Sequence, residues 1–149
     1  MEEVQQVGGD HYNAEYQHWD WSIDVGIGPI EYAATKYISR WRKKNGLQDV
    51  DKAISYMQKV RSANMQGFYF NRSFAMISGN SSRQGMSVIQ CTRKFLKANP
   101  MTYEEEIFMR SCIEWMNVTD IDRSLALLSL IRAKAIIFDA NKAIQAANG

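Results

Sequence analysis

Apolar residues along this chain recur mostly at spacings of three and four, the period of an amphipathic helix. The first such run covers residues 29–44, with Pro29 suited to a first helical turn and Asn45-Gly46 suited to a helix stop. A second run covers residues 47–61 after that short turn. The pattern therefore predicts a mainly α protein that contains an antiparallel helix hairpin.

Two further helices are predicted in the second half of the chain. Each begins at a capping sequence, and they cover residues 102–116 and 119–146. Residues 67–99 are less informative, because they fit either a bent helix or a strand around a flexible loop at residues 78–85. At least four helices are expected in total.

The last predicted helix is apolar on more than one face. Its large apolar residues are Leu125, Leu127, Leu128, Leu130, Ile131, Ile136, Ile137 and Phe138. A helix of this kind lies either at the centre of a bundle or between subunits. One small bundle has too little surface to cover it, so we expect a homo-oligomer.

Length, charge and cysteine content exclude several classes of protein. The 149 residues, 46% hydrophobic and 23% charged, indicate one globular domain. A net charge of +2 is too small for binding long nucleic acid through phosphate neutralisation, so any phosphate site has to be local. Cys91 and Cys112 lack the spacing of zinc ligands, and we expect them to be reduced and packed.

The start of the chain and its apolar runs bear on location. Residues 1–9 carry two glutamates and neither a basic residue nor an apolar run, unlike a targeting peptide. The longest apolar stretch, residues 125–138, contains two basic residues and is shorter than the roughly 20 residues of a bilayer span. We therefore expect a cytoplasmic protein without a membrane partner.

The densest charge lies at the end of the first predicted helix, where residues 36–44 hold five positive charges and no negative one. Cations this close repel one another unless an anion compensates them, which makes phosphate a natural ligand. The alternative is a solvated face whose cations pair with Asp49 and Asp51 across the turn. The cations predicted to share one side of the helix are Lys36, Arg40, Lys43 and Lys44.

An aromatic segment precedes this helix. Flat rings can stack on a nucleobase close to the cations, although an arm packed onto the bundle is the alternative. Arg83, in the predicted loop, is a further candidate cation. The segment from His11 to Trp21 contributes the rings of Tyr12, Tyr16, His18, Trp19 and Trp21 to possible stacking, and the site residues selected from it are His11, Tyr12, Trp19 and Trp21.

Familiar enzyme motifs are missing from the sequence. It contains neither G-x-x-x-x-G-K-[ST] nor G-x-G-x-x-G, and two histidines do not define a catalytic triad. Asp49 and Asp51 diverge on a helix, and the glutamates at 104–106 complement a helix dipole. The clustered carboxylates of an all-α nucleotide pyrophosphatase are likewise absent. We expect no metal site and no cofactor.

Four short motifs nevertheless occur in a joint spacing over residues 8–60. They are Gly9-x-His11-Tyr12, Asp20-Trp21, Lys36-Tyr37-x-x-Arg40-x-x-x-Lys44-Asn45-Gly46 and Asp49-Val50-x-Lys52-Ala53-x-x-Tyr56. In these motifs the chain resembles the SaV-like family of small phage proteins, which includes a phage nucleotide kinase. It departs at Val50, where many members have leucine, and residues 67–149 match nothing in the family.

The resemblance implies a phage protein that handles nucleotides. The motif positions that it indicates are His11, Tyr12, Lys36, Arg40, Lys44, Asp49, Lys52 and Tyr56. It also suggests a sponge, because some related phage proteins sequester the cyclic-nucleotide signals of bacterial antiphage defence (anti-CBASS activity). A sponge needs cations and aromatic faces but no turnover, and both residue types are present.

The alternative implied by the resemblance is a phage nucleoside monophosphate kinase. A kinase needs Mg²⁺ and ATP, and usually a phosphate-cradling loop with metal-holding carboxylates, which the sequence lacks. We therefore expect a cyclic-dinucleotide sponge without turnover, with the kinase or another binding or structural role as alternatives.

The sequence thus predicts one domain over residues 1–149. It is a small homo-oligomeric helical bundle with an N-terminal aromatic arm, in the cytoplasm of an infected bacterial cell. Residues 8–60 form its nucleotide-binding region and residues 67–149 a helical region for oligomerisation and specificity. The predicted ligand-binding residues are His11, Tyr12, Trp19, Trp21, Lys36, Tyr37, Arg40, Lys43, Lys44, Asp49, Lys52, Tyr56 and Arg83, and no catalytic residue or metal ligand is predicted.

Overall fold

The computed structural model describes residues 15–67, 69, 85–115 and 117–149. Over these residues the chain forms six α-helices and no strand, so the mainly α fold class is confirmed. The helices are α1 (His18–Val25), α2 (Pro29–Arg40), α3 (Leu47–Met65), α4 (Val88–Ala98), α5 (Tyr103–Glu114) and α6 (Val118–Asn148).

The first helix replaces part of the segment that the sequence predicts as an aromatic arm. The chain is helical from His18, and α1 ends at Gly26, whose φ of 64° is left-handed. Gly28 and Pro29 then begin α2 in the way that proline favours at a first turn. Gly26 and Gly28 therefore lie in the short turn that joins α1 to α2.

The second helix is shorter than the apolar pattern predicts. It ends at Arg40, and Trp41–Lys43 form a 3₁₀ turn. The carbonyl of Trp41 accepts hydrogen bonds from the backbone N–H groups of Lys44 (3.4 Å) and Gly46 (2.8 Å), which closes the chain before α3. The predicted extension of the helix to residue 44 is therefore wrong.

Side-chain caps define the start of the later helices. Ser87 and Gln90 form a complete capping box that begins α4, which resolves part of the ambiguous region as helix. Thr102 caps α5, as predicted from sequence. The cap of α6 is Asn117, whose Oδ1 accepts from the backbone N–H of Asp120 at 3.0 Å, in place of the predicted Thr119.

The core lies where α3 packs against α2 and α6, with α5 behind α6 and the α1/α4 pair alongside. Contacts from α3 to α6 run from Leu47 with Asp139 to Arg61 with Asp122, so these two helices are antiparallel. The largest fully buried side chains are Trp21, Trp41, Trp115, Phe95, Phe108, Ile38, Met57, Met109, Ile113, Ile121, Leu128 and Ile131.

A buried histidine joins α1 to α2. The Nε2 atom of His18 lies 2.8 Å from the hydroxyl oxygen of Thr35, and the ring packs against Tyr32 with 4.9 Å between centroids. Burial lowers the pKa of His18 to about 3, and the positive charge of Lys36 adds to that effect. His18 is therefore neutral in the folded protein near neutral pH.

This histidine makes stability depend on pH. In the unfolded chain His18 takes up a proton below pH 6.5, whereas in the folded protein it does so only near pH 3. The free energy of unfolding should therefore fall by about 1.4 kcal/mol per pH unit as pH decreases below 6.5. Urea denaturation at pH 7, 6 and 5 should show this slope, and the His18→Gln variant should lose it. Equal slopes in both proteins would contradict the buried neutral histidine.

Candidate functional site

Two stacked tyrosines mark the surface where α2 meets α3. The rings of Tyr37 and Tyr56 lie 5.9 Å apart between centroids, with 16° between their planes. The guanidinium carbon of Arg40 is 4.7 Å from the Tyr37 centroid, and Nζ of Lys52 is 5.3 Å from it. The structure thus brings together four of the predicted ligand-binding residues in one aromatic and cationic cluster.

An open groove of about 880 Å³ adjoins this cluster. It follows the solvent side of α3 and reaches the turn before α3 and the side of α6. A volume of this size falls within the range of small-molecule sites. The groove is lined by Asn45, Leu47, Gln48, Asp51, Lys52, Ser55, Tyr56, Lys59 and Asp139.

The groove contains charges of both signs, but its carboxylates are engaged by the protein. Asp51 receives a hydrogen bond of 2.7 Å from Nε of Arg132. Asp139 accepts from the backbone N–H of Leu47 at 3.0 Å, so it caps the positive end of α3. Lys52 and Lys59 add two cations along the same wall. The lining thus holds two positive and two negative side chains, and because both aspartates are already bound by the protein, the ammonium groups of Lys52 and Lys59 are the charges that it offers to a ligand.

Asp49 has a structural position. It is fully buried, and its Oδ2 atom lies 3.6 Å from Nε of Arg40. The backbone N–H and the side-chain amide of Asn45 both donate to its carboxylate at 3.3 Å. Asp49 thus fixes the turn between α2 and α3 and does not line the groove, which differs from its predicted role in ligand binding. The pairing with Arg40 matches the alternative of cations neutralised across the turn.

Trp21 also differs from its predicted role. It is fully buried, its ring is stacked on Phe95 with 4.7 Å between centroids, and its Nε1–H donates to Thr92 at 3.0 Å. Both the faces and the polar atom of the indole are used inside the protein, so Trp21 cannot stack on a ligand. Trp19 is half-buried on α1 and does not line the groove.

The predicted stripe of cations is divided, because α2 ends at Arg40. Lys36 lies toward α1, where its charge acts on His18. Lys43 and Lys44 are exposed in the turn that leads to α3, next to the groove residue Asn45. The cations therefore surround the helix end, and only part of the set is near the groove. His11, Tyr12 and Arg83 lie outside the described residues.

Seven groove residues were not among the predicted ligand-binding residues: Asn45, Leu47, Gln48, Asp51, Ser55, Lys59 and Asp139. A signal for part of this set was present, since Gln48, Lys52, Ser55 and Lys59 fall at i, i+4, i+7 and i+11 on α3. Asp139 had no local signal, because its place depends on the packing of α6 against α3.

The described residues offer no other chemistry of comparable strength. Cys91 and Cys112 are buried free thiols, and burial, with the nearby Glu31 carboxylate, raises the pKa of Cys112. Within the described ranges no three His, Cys, Asp or Glu side chains come together as a possible metal site. None of the helices described is long and apolar enough to cross a bilayer.

Comparisons with family models, with curated proteins and with solved structures find no match to this chain.

Proposed function

We propose that this protein binds a nucleotide in the groove of α3 and sequesters it without turnover, as a sponge for a cyclic-dinucleotide signal of antiphage defence. The groove follows α3, the second helix of the proposed antiparallel hairpin with α2. The protein would act in the cytoplasm of an infected bacterial cell. One observation carries the proposal. Tyr56 is 38% exposed at the groove, with Lys52 and Lys59 on the same helix.

The chemistry of the groove suits a nucleotide because it offers separate partners for base and phosphate. The exposed ring of Tyr56 is supported by Tyr37 behind it, so a base could stack on it without loss of the existing pair. Lys52 and Lys59 lie about one turn before and one turn after Tyr56 on α3, so their ammonium groups flank the ring on which a base would stack. The resemblance of residues 8–60 to a nucleotide-handling family supports the same assignment.

The proposal includes a homo-oligomer. Each copy in the assembly carries its own groove with Lys52 and Lys59, so a pair of copies offers two binding sites. The long, partly exposed α6 provides apolar surface for such an assembly.

Alanine substitutions of groove residues should weaken binding, whereas the same substitutions of exposed residues elsewhere should leave the affinity unchanged. Lys52→Ala should weaken binding by about 1.5 to 3 kcal/mol, and Tyr56→Ala by about 1 to 3 kcal/mol. The matched controls are Lys97→Ala on α4 and Tyr103→Ala on α5, since both side chains are exposed away from the groove. Calorimetric titration with cyclic di-AMP, cyclic di-GMP and cyclic GMP–AMP measures the affinity. Equal affinities in groove and control variants would overturn the site.

Arg40→Ala is a poor test of the same site. Arg40 lies beside the fully buried carboxylate of Asp49, so its removal would disturb the fold along with any ligand contact.

The fate of the ligand separates the sponge from the kinase. A sponge should bind in EDTA and release an unaltered cyclic dinucleotide on heating, as analysed by chromatography. A kinase should convert a nucleoside monophosphate into the diphosphate, and only with ATP and Mg²⁺. Conversion of that kind, without binding of any cyclic dinucleotide, would replace the proposal with the kinase alternative.

A further inference from the structure

The last helix, α6, has two apolar faces that point in opposite directions. One face is buried in the bundle and includes Ile121, Leu128, Ile131 and Ala135. The other is exposed, with Leu130, Ile137 and Ile144 at 56%, 61% and 58% exposure. At 100° per residue these three side chains point away from Leu128 by about 160° to 180°. The bundle described above therefore uses only one of the two faces.

The exposed face has the regular spacing of a coiled-coil seam. Its members are Ala126, Leu130, Ala133, Ile137, Ala140, Ile144 and Ala147, all exposed. Their spacing alternates between four and three residues throughout, so one heptad position always holds leucine or isoleucine and the other always holds alanine. We call this set the α6 seam. A buried or solvated helix has no reason to maintain such an alternation over three heptads.

We propose that the α6 seam pairs antiparallel with the α6 seam of a second copy of this chain to form a two-fold dimer. In this orientation each large side chain of one copy lies opposite an alanine of the other. The six layers pair Leu130 with Ala147, Ala133 with Ile144, and Ile137 with Ala140, each layer occurring twice about the two-fold axis.

The side-chain volumes favour this orientation over a parallel one. Each antiparallel layer contains one large residue and one alanine, so the two helices can approach to the same distance along the whole seam. A parallel pair would alternate layers of two large residues with layers of two alanines, and it would leave gaps at the alanines. Antiparallel helices also place their dipoles head to tail.

The charges favour a second copy over a charged partner. Lys134 lies beside the seam, but its ammonium group already contacts Glu104 at 2.8 Å. The same flank then holds Asn141 and Asn148, and the opposite flank holds Ser129, Ile136 and Ala143. In the antiparallel pair Lys134 faces Asn141 of the partner subunit, so no like charges meet. An uncharged apolar seam is complementary to itself.

The length of the seam is sufficient for a specific contact. Leu130 to Ala147 spans about 26 Å at 1.5 Å per residue. Ile136, 44% exposed, widens the apolar strip on one side. Residues 140–149, where α6 is exposed on all sides, would pack against the middle of the partner's helix. The dimer thus explains why the helix continues beyond its own bundle.

The mass of the protein in solution tests the dimer. Sedimentation equilibrium should give twice the chain mass for the wild type, and Ile137→Asp should weaken self-association by about 100-fold or more. The matched control is Ile89→Asp, because Ile89 on α4 is similarly exposed at 52% but lies outside the seam. It should remain dimeric, and circular dichroism should show that both variants are folded. A monomeric wild type, or a fully dimeric Ile137→Asp variant, would overturn the proposal.

The orientation has its own test. The double variant Ala133→Cys with Ile144→Cys should form disulfides that join position 133 of one copy to position 144 of the other, as identified by peptide mapping. Disulfides between identical positions would show a parallel pair, and absence of any disulfide would contradict the seam. Cys91 and Cys112 do not interfere, since both are buried.

This interface gives the homo-oligomer of the proposed function a specific form, in which the seam lies on the side of α6 away from the groove residue Asp139 and both grooves stay open. Its tests use no nucleotide. A protein that dimerises and binds no cyclic dinucleotide would overturn the sponge alone. A monomer that binds one in its groove would overturn the seam alone.

Discussion

Replacing Arg42 with methionine should lower the free energy of unfolding by about 3 kcal/mol. The guanidinium forms a two-pronged ion pair with Glu105, with Nη2 to Oε1 at 2.6 Å and Nη1 to Oε2 at 3.0 Å. The carboxylate is buried, with its side chain only 2% exposed. In the variant the Trp41 indole N–H, at 3.3 Å, would still donate to this carboxylate, but its counter-charge would be gone.

A surface ion pair provides the matched control. Arg61 contacts Asp122 at 2.6 Å, but the two side chains are 39% and 48% exposed. Arg61→Met should therefore cost no more than about 1 kcal/mol, as exposed pairs do. Urea denaturation at neutral pH measures both variants, and Arg42→Met combined with Glu105→Gln should recover stability because no buried charge remains. If the two single variants lost the same stability, the burial of Glu105 would not matter.

The ion pair also shows why the basic segment was only partly predictable. From sequence, residues 36–44 look like one cationic stripe suited to phosphate. In the fold, Arg42 forms an ion pair with Glu105, a residue 63 positions away, and Arg40 lies beside the buried carboxylate of Asp49. Periodicity predicts which side of a helix a residue occupies, but it contains no information about which distant carboxylate will pack there.

Helix starts were more predictable than helix ends. Pro29 and Thr102 act locally through φ and a side-chain cap, and both mark the helices that they predict. The capping box of Ser87 and Gln90 was equally local, and it could have assigned α4 despite the ambiguous segment before it. The end of α2 at Arg40 had no comparable signal, because it depends on the 3₁₀ turn at Trp41.

In the candidate site, too, contacts between neighbouring parts of the sequence were more predictable than contacts between distant parts. The stacking of Tyr37 and Tyr56 and the position of Lys52 depend on two consecutive helices joined by a short turn, and the predicted residues did come together. Trp21 was predicted to contact the ligand because of its residue type. In the structure it lies in the core, where its ring stacks on Phe95 and its N–H donates to Thr92. Burial of an aromatic ring stabilises the fold, and residue type alone does not show whether a given ring lies in the core or at a ligand site.

Replacing Gly46 with alanine should lower the free energy of unfolding by about 3 kcal/mol, for two independent reasons. The backbone at Gly46 has φ +57° and ψ −130°, a conformation that side chains rarely permit. A Cβ atom there would also lie within 2.8 Å of all three carboxyl atoms of Asp139. Asp139 would have to move away from the backbone N–H of Leu47, and α3 would lose its cap.

Gly67 is a control for a positive φ without a contact, because its φ is +76° and nothing lies within 4 Å of its missing Cβ. Gly67→Ala should therefore show the backbone strain alone, about 1 kcal/mol, in thermal or urea denaturation. Adding Asp139→Ala to the Gly46→Ala variant should cost little more, because the cap is already lost and the clash is removed. Equal losses at Gly46 and Gly67 would mean that contact between Gly46 and Asp139 contributes nothing, and that α6 does not hold the start of α3 beside the groove.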